Sequence, residues 1–214
     1  MATFRLGTKQ MRGLPFLVGS ANAGASDRCQ ITLGGDDVGV TIPIDASAHR
    51  VIVAHCLVES TVAEDGRWGR PVADYVFRLS GGREERVRVR ERFEIGTTPG
   101  VGQIPGGDST FRAVTDGKTL LFPRNEGPWG NAGWRQLENR GPVLHRYWLW
   151  PWVNPDPEQA VESLEVVPLG PWFVIAGITL GHVDEHPFAR EGMRPARIVL
   201  IRPEDAGKPF DLEV

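Results

Sequence analysis

Between residues 143 and 180 the chain carries three apolar runs separated by breakers, and the pattern is that of strands. The first run ends in Trp150-Pro151-Trp152. A helix cannot continue there, because proline lacks an amide hydrogen and its ring clashes with the preceding turn. Asn154-Pro155-Asp156-Pro157 then forces a polar corner. Val161, Leu164 and Val166, with Glu162, Ser163 and Glu165 between them, fit a half-buried strand. Residues 173–178, Phe-Val-Ile-Ala-Gly-Ile, fit a strand covered on both faces.

Upstream, residues 75–79 and 85–92 flank Ser80-Gly81-Gly82-Arg83, and residues 29–33 and 38–44 flank Gly34-Gly35-Asp36-Asp37. Glycine supplies the positive φ that tight turns need, so both stretches predict antiparallel hairpins. Arg86-Val87-Arg88-Val89-Arg90 alternates, which predicts buried valines and arginines in solvent. Residues 49–58 (HRVIVAHCLV) suit a central strand, residues 14–18 and 195–201 suit further strands, and Asp116-Gly117 marks a turn. No segment holds a 3.6-residue apolar stripe. The expectation is an all-β antiparallel sandwich of roughly ten strands, jelly-roll in kind.

Composition agrees with this. In 214 residues there are 26 Gly and 17 Pro against three Met, and the length fits one domain spanning 1–214. A net charge of −3 gives no global attraction to phosphate backbones or anionic membranes, so neither nucleic acid nor membrane is expected as a partner. The N-terminus has no apolar core of a signal peptide, and no run reaches membrane-spanning length, so a cytoplasmic location is expected. The final PFDLEV stops inside an apolar alternation, as in a piece of a longer chain. Cys29 and Cys56 lack CxxC spacing and sit in apolar runs, which predicts free thiols and no zinc knuckle.

The order of elements resembles the galactose-binding-like β-sandwich, the jelly roll of accessory modules on bacterial carbohydrate-active enzymes. The residues that carry the likeness are Leu14-Pro15-Phe16, the strand Val51-Ile52-Val53-Ala54-His55, Asp74-Tyr75, Trp152 with its Asn-Pro-Asp-Pro corner, and Ala176-Gly177-Ile178-Thr179. The segment ITLGHVDEHPFAREG also looks like the β-sandwich of larger metallohydrolases of the polymerase-and-histidinol-phosphatase type, whose His-rich catalytic part has no counterpart here. The resemblance implies a non-catalytic module, with an adjacent catalytic domain, a second copy or a carbohydrate as its partner. No cofactor is implied.

Two constellations carry candidate chemistry. Trp129 and Trp134 lie in a polar stretch with Asn131 and Arg135, a set that could stack on a sugar ring and bond its hydroxyls, or could equally pin a long loop to the sandwich. Trp148, Trp150, Trp152 and Trp172 read as strand residues, the first three on one face that is core or an interdomain surface. His182, Asp184 and His186 would point to one side of an extended segment and could hold a divalent metal, as a hydrolase would require; in a loop they would be hydrogen-bonded surface groups. No nucleophile elbow or phosphate cradle is present in the sequence, and the carboxylate pairs Glu84-Glu85 and Asp36-Asp37 fall at hairpin turns, where solvated acids are usual, whereas a glycosidase needs two carboxyls facing across a groove.

Overall fold

The computed structural model describes residues 6–19, 29–60, 68–97, 112–116 and 147–188. Their regular structure is entirely strand: β1 (Gly7–Met11), β2 (Leu14–Val18), β3 (Ile31–Leu33), β4 (Val40–Ser47), β5 (Arg50–Leu57), β6 (Pro71–Leu79), β7 (Glu84–Arg90), β8 (Val114–Thr115), β9 (Trp148–Val153), β10 (Ala160–Pro168) and β11 (Phe173–Gly181). Among the described residues no helix is long and apolar enough to cross a membrane.

Two antiparallel sheets face each other. One has the order β4-β10-β6-β7, the other β3-β11-β5-β9-β8, and β1-β2 forms a separate hairpin. Tyr75, Phe77, Leu164 and Val166 of the first sheet pack against Val51, Val53, Trp150, Trp152 and Phe173 of the second. The Phe77 and Trp152 rings stack with centroids 3.8 Å apart, across the space between the sheets. Trp148, Trp150 and Trp152 are thus core residues, and the face they share is interior rather than an interdomain surface.

The second sheet is covered on its outer side as well. Met11, Leu14, Phe16 and Val18 of the hairpin pack on Ile52, Ala54, Cys56, Leu149 and Ala176. The turn of the hairpin is tied to the β8 edge by the Arg12 Nε–H bond to the Thr115 carbonyl at 2.8 Å. Its second strand lies against β11, where Thr179 Oγ1 donates to the Pro15 carbonyl. The hairpin therefore lies across the sheet as a third layer. This is why β5 is buried along its whole length and why its sequence is apolar without alternation.

Local sequence accounts for most of the registers. β6 pairs with β7 as the Gly-Gly turn predicts, with Val76 opposite Arg86 and Tyr75 opposite Val87, and Gly82 takes φ 78° in the turn. Val89 is buried, while Arg86 and Arg88 are exposed and bond the buried carboxylate of Asp74. Arg90 departs from expectation: it is half-buried and clamps Glu94. A bulge between Val161 and Ser163 lets Val161 and Leu164, three apart, both face inward. The Asn154 corner closes on itself, its Nδ2 donating to the Ala48 carbonyl at 3.0 Å and its Oδ1 accepting from Asp156 N at 3.0 Å.

One expected hairpin is not formed. β3 pairs with β11 and β4 with β10, so residues 34–39 arch from one sheet to the other. Gly and Asp serve an arch as well as a hairpin, and burying Leu33 in the core beside Ile42 and Ile44 favours stacking the two strands over pairing them. The strand expected at 195–201 and residues 117–120 of the Asp-Gly turn lie outside the described residues. Neither Cys29 nor Cys56 is in a disulfide; Cys56 is buried and Cys29 half-buried.

If the hairpin is a true third layer, Phe16→Ala should lower the unfolding free energy by about 3–5 kcal/mol, whereas Leu17→Ala, at a side chain 67% exposed, should change it by no more than about 0.5 kcal/mol. Urea unfolding measures both. Equal small effects would mean the hairpin is dispensable to the core.

Candidate functional site

The two ends of the sandwich differ in kind. At one end Leu33, Leu57 and Phe173 lie side by side, and the connections there are 34–39, 58–70, 91–113, 116–147 and 169–172. At the other, residues 48–49, 80–83 and 154–159 make short turns. Long connections on a rigid scaffold are where binding groups concentrate. Asp116 N bonds the Tyr147 carbonyl at 3.1 Å, so the segment bearing Trp129, Asn131, Trp134 and Arg135 leaves and returns at the long-loop end. Those four residues themselves lie outside the described residues.

The chemistry at this end begins in the core. His55, on the inner face of β5, has one ring nitrogen 2.9 Å from the Glu94 carbonyl and the other 2.9 Å from the Tyr75 hydroxyl. A carbonyl only accepts, so Nε2 carries the proton and Nδ1 accepts from the Tyr75 O–H. Burial holds the imidazole neutral, with its pKa lowered to about 4, the Glu94 bond opposing only in part. Burial likewise pushes the Tyr75 hydroxyl up, so it stays protonated as a donor. The Trp150 ring lies nearly parallel to the imidazole, 6.5 Å away.

Glu94 carries this tie to the surface. Its carboxylate accepts from Arg90 N at 3.0 Å, Arg90 Nε at 3.3 Å and Arg90 Nη2 at 3.1 Å, and Arg112 Nη1 lies 3.5 Å away. The turn this fixes, residues 91–94, holds Arg92 at φ 71°, a left-handed conformation uncommon for a residue with a side chain. The Arg92 guanidinium sits 5.2 Å from the Trp68 ring centre, and Arg90 stands 4.3 Å over Phe93. Buried Glu91 accepts from Ser60 Oγ. Its pKa is raised by burial, against the pull of Ser60, Arg70 and Arg92, and no described residue bonds its Oε2. Gly96 is required beside this turn, since a Cβ there would fall 2.5 Å from the Trp148 ring, whose Nε1 donates to the Thr97 carbonyl at 2.9 Å.

Two indoles are exposed at this end, Trp68 and Trp172, each 42%. Trp172, expected from the sequence to be a strand residue, precedes β11, with its ring against Gly34 and its amide 3.3 Å from Glu59 Oε1. The Gly170-Pro171 pair before it is the turn signal that marks the difference. Trp68-Gly69-Arg70-Pro71 has the same punctuation and was equally legible. Nothing in the sequence marks Arg92 or Glu94.

The proposed metal-binding triplet lies at the opposite, short-turn end. Asp184 is exposed and 3.4 Å from Arg50 Nη2, and Arg50 Nε donates to the Glu185 carbonyl at 2.7 Å. His186 Nδ1 accepts from Phe188 N at 3.2 Å, and burial, helped by Arg50, lowers its pKa. His182 is exposed. Among the described residues no three His, Cys, Asp or Glu side chains gather to hold a metal ion. A groove of about 530 Å³ opens between the β3-β11 and β4 edges, lined by Ile31, Ile42, Ile175 and Ile178 with Cys29 and Gln30. Its isoleucines offer little to a polar ligand.

Comparison with protein-family models, with curated proteins and with solved structures finds no match to this chain.

The His55 bridge has a pH consequence of definite sign. Its folded pKa lies below the unfolded 6.5, so the unfolded chain takes up the proton first, and stability is lost as pH falls from about 6.5 to about 4. The loss amounts to about 3 kcal/mol. His186 acts in the same direction and Glu91 in the opposite one, so the comparison must be with His55→Gln, which keeps one donor and one acceptor but does not titrate. The stability of the parent chain relative to His55→Gln should fall by that amount between about pH 7 and pH 4; a constant difference would mean that His55 is not buried neutral.

Proposed function

We propose that the chain is a non-catalytic β-sandwich module, of the galactose-binding-like jelly-roll kind its sequence resembles, that binds carbohydrate at its long-loop end. The observation that carries this reading is the placement of both exposed indoles of the described residues, Trp68 and Trp172, at the end where the connections 58–70, 91–113 and 116–147 meet the strands. A sugar ring presents apolar C–H faces and polar edges. An indole face beside hydrogen-bonding groups complements both, and Trp68 has Arg70 two residues along the chain while Trp172 has Glu59 bonded to its amide. Trp129, Asn131, Trp134 and Arg135, the sequence candidates for sugar stacking, belong to the segment between Asp116 and Tyr147, whose two described ends meet at the same end.

A scaffold role for the rest of the molecule follows. Carboxylates on the outer face of the four-stranded sheet are engaged with arginines, as Asp74 is with Arg86 and Arg88 and as Glu84 and Glu165 are with Arg78. This face is suited to solvation, with long side chains covering buried Val76.

At least one of Trp68→Ala and Trp172→Ala should weaken binding of a glycan identified on an array by about tenfold, while both shift unfolding free energy by no more than about 1 kcal/mol. Titration calorimetry and thermal melts supply the two readouts. Core-like losses of stability in both variants, with no glycan bound by the parent chain, would favour an interaction module instead.

A further inference from the structure

The two exposed indoles sit in opposite electrostatic surroundings. Trp172 lies against Gly34 and Gly35, with Asp36 and Asp37 next in the chain, and its amide meets Glu59. Trp68 lies over Arg92, beside a turn that gathers Arg70, Arg90, Arg92 and Arg112 around Glu91 and Glu94. Four arginines against two glutamates leave a formal charge of +2 on a chain whose total is −3. Both glutamates are buried at 1% exposure and Arg92 at 4%, so the charged groups that reach solvent there are Arg70, Arg90 and Arg112. Arg112 in particular approaches Glu94 through one amino group at 3.5 Å, and its side chain is 64% exposed.

We propose that the carbohydrate taken at this end is an acidic one, with Trp68 stacking on a sugar ring and Arg112, supported by Arg70, receiving the ring's carboxylate. The inference rests on the carbohydrate reading above and narrows it. A planar guanidinium matches a carboxylate with two parallel N–H bonds, a geometry that lysine cannot supply and that a neutral hydroxyl does not need. The receiving group is also held in place. Tyr75 bonds His55, His55 bonds the Glu94 carbonyl, and Arg112 N donates to the carbonyl of the neighbouring Phe93 at 2.9 Å, so the backbone that carries the arginine is tied to a turn anchored in the core. A group held this way loses less freedom on binding than a lysine on a mobile loop. The acidic residues around Trp172 repel the same carboxylate, so one end offers two platforms and a charged sugar selects Trp68.

The test uses the full chain and two forms of one polymer fragment, oligogalacturonate and its methyl ester, which differ only in whether the carboxylates are free. The acid form should bind at least about tenfold more tightly than the ester and weaken as NaCl rises from about 50 to about 500 mM. Arg112→Glu should cost at least about tenfold in affinity, and Arg112→Lys should recover only part of it. Arg83→Glu, the same charge change at the short-turn end, should leave binding unchanged and so controls for net charge. Equal binding of acid and ester, or a loss in Arg83→Glu as large as in Arg112→Glu, would overturn the inference while leaving the carbohydrate reading standing. Failure of both forms, and of every neutral and acidic glycan on an array, would overturn the carbohydrate reading itself. Preferential binding of a phosphorylated peptide or single-stranded DNA over both oligosaccharides would assign the arginine corner to a different anion and reject the acidic sugar.

Discussion

The interaction on which the rest depends is the bridge made by His55. Its imidazole is fully buried between the two sheets beside the Tyr75 and Trp150 rings, and it is tolerable there only because both nitrogens are satisfied, one by Tyr75 and one by the Glu94 carbonyl. That pairing ties three things together: β5 of one sheet, β6 of the other, and the turn that follows β7. Breaking it leaves buried polar groups at two sites at once, and the cost of an unmade hydrogen bond in such a place exceeds the net gain from a made one. The turn also holds a strained Arg92, so its shape depends on the clamp that Glu94 places on Arg90.

From this anchor the division of labour in the molecule follows. The middle is three layers thick, with β5 sealed on both faces, and the short-turn end is closed by Asn154 and by the Gly81-Gly82 turn. Rigidity is therefore spent on the strands and on one end. The other end carries the long connections, the exposed indoles and the arginines, and a stiff core beneath it can hold those groups in fixed relation. Strand topology reinforces this, because consecutive strands largely alternate between sheets, and each crossing at the long-loop end brings residues from distant parts of the sequence together.

Much of the scaffold was legible in the sequence. Unbroken apolar character placed β5 at the centre, alternation placed Val89 inside and Arg88 outside, and proline and asparagine marked the corner after β9. What could not be read was partner choice. Gly34-Gly35-Asp36-Asp37 is the same four residues whether the chain folds back in plane or arches to the facing sheet, and only the demand to bury Leu33 beside Ile42 decides. The candidate site was harder still. His182, Asp184 and His186 drew attention through their spacing, yet Arg50, distant in sequence, meets Asp184 and the Glu185 carbonyl. The buried glutamates of the turn sit in ERFEIG, which has no recognisable motif, and their importance comes from His55, about forty residues away, so a local reading had no access to it.

The place where a ligand touches the molecule decides most directly between the long-loop end and any other surface. Amide chemical shifts recorded while oligogalacturonate is titrated into the labelled chain would locate that contact without any substitution. The predicted result is a connected set of changes in residues 68–70, 91–97 and 112–116, with residues 80–83 and 154–159 unmoved. Changes confined to the short-turn end, or to the loop that carries His182, Asp184 and His186, would contradict it.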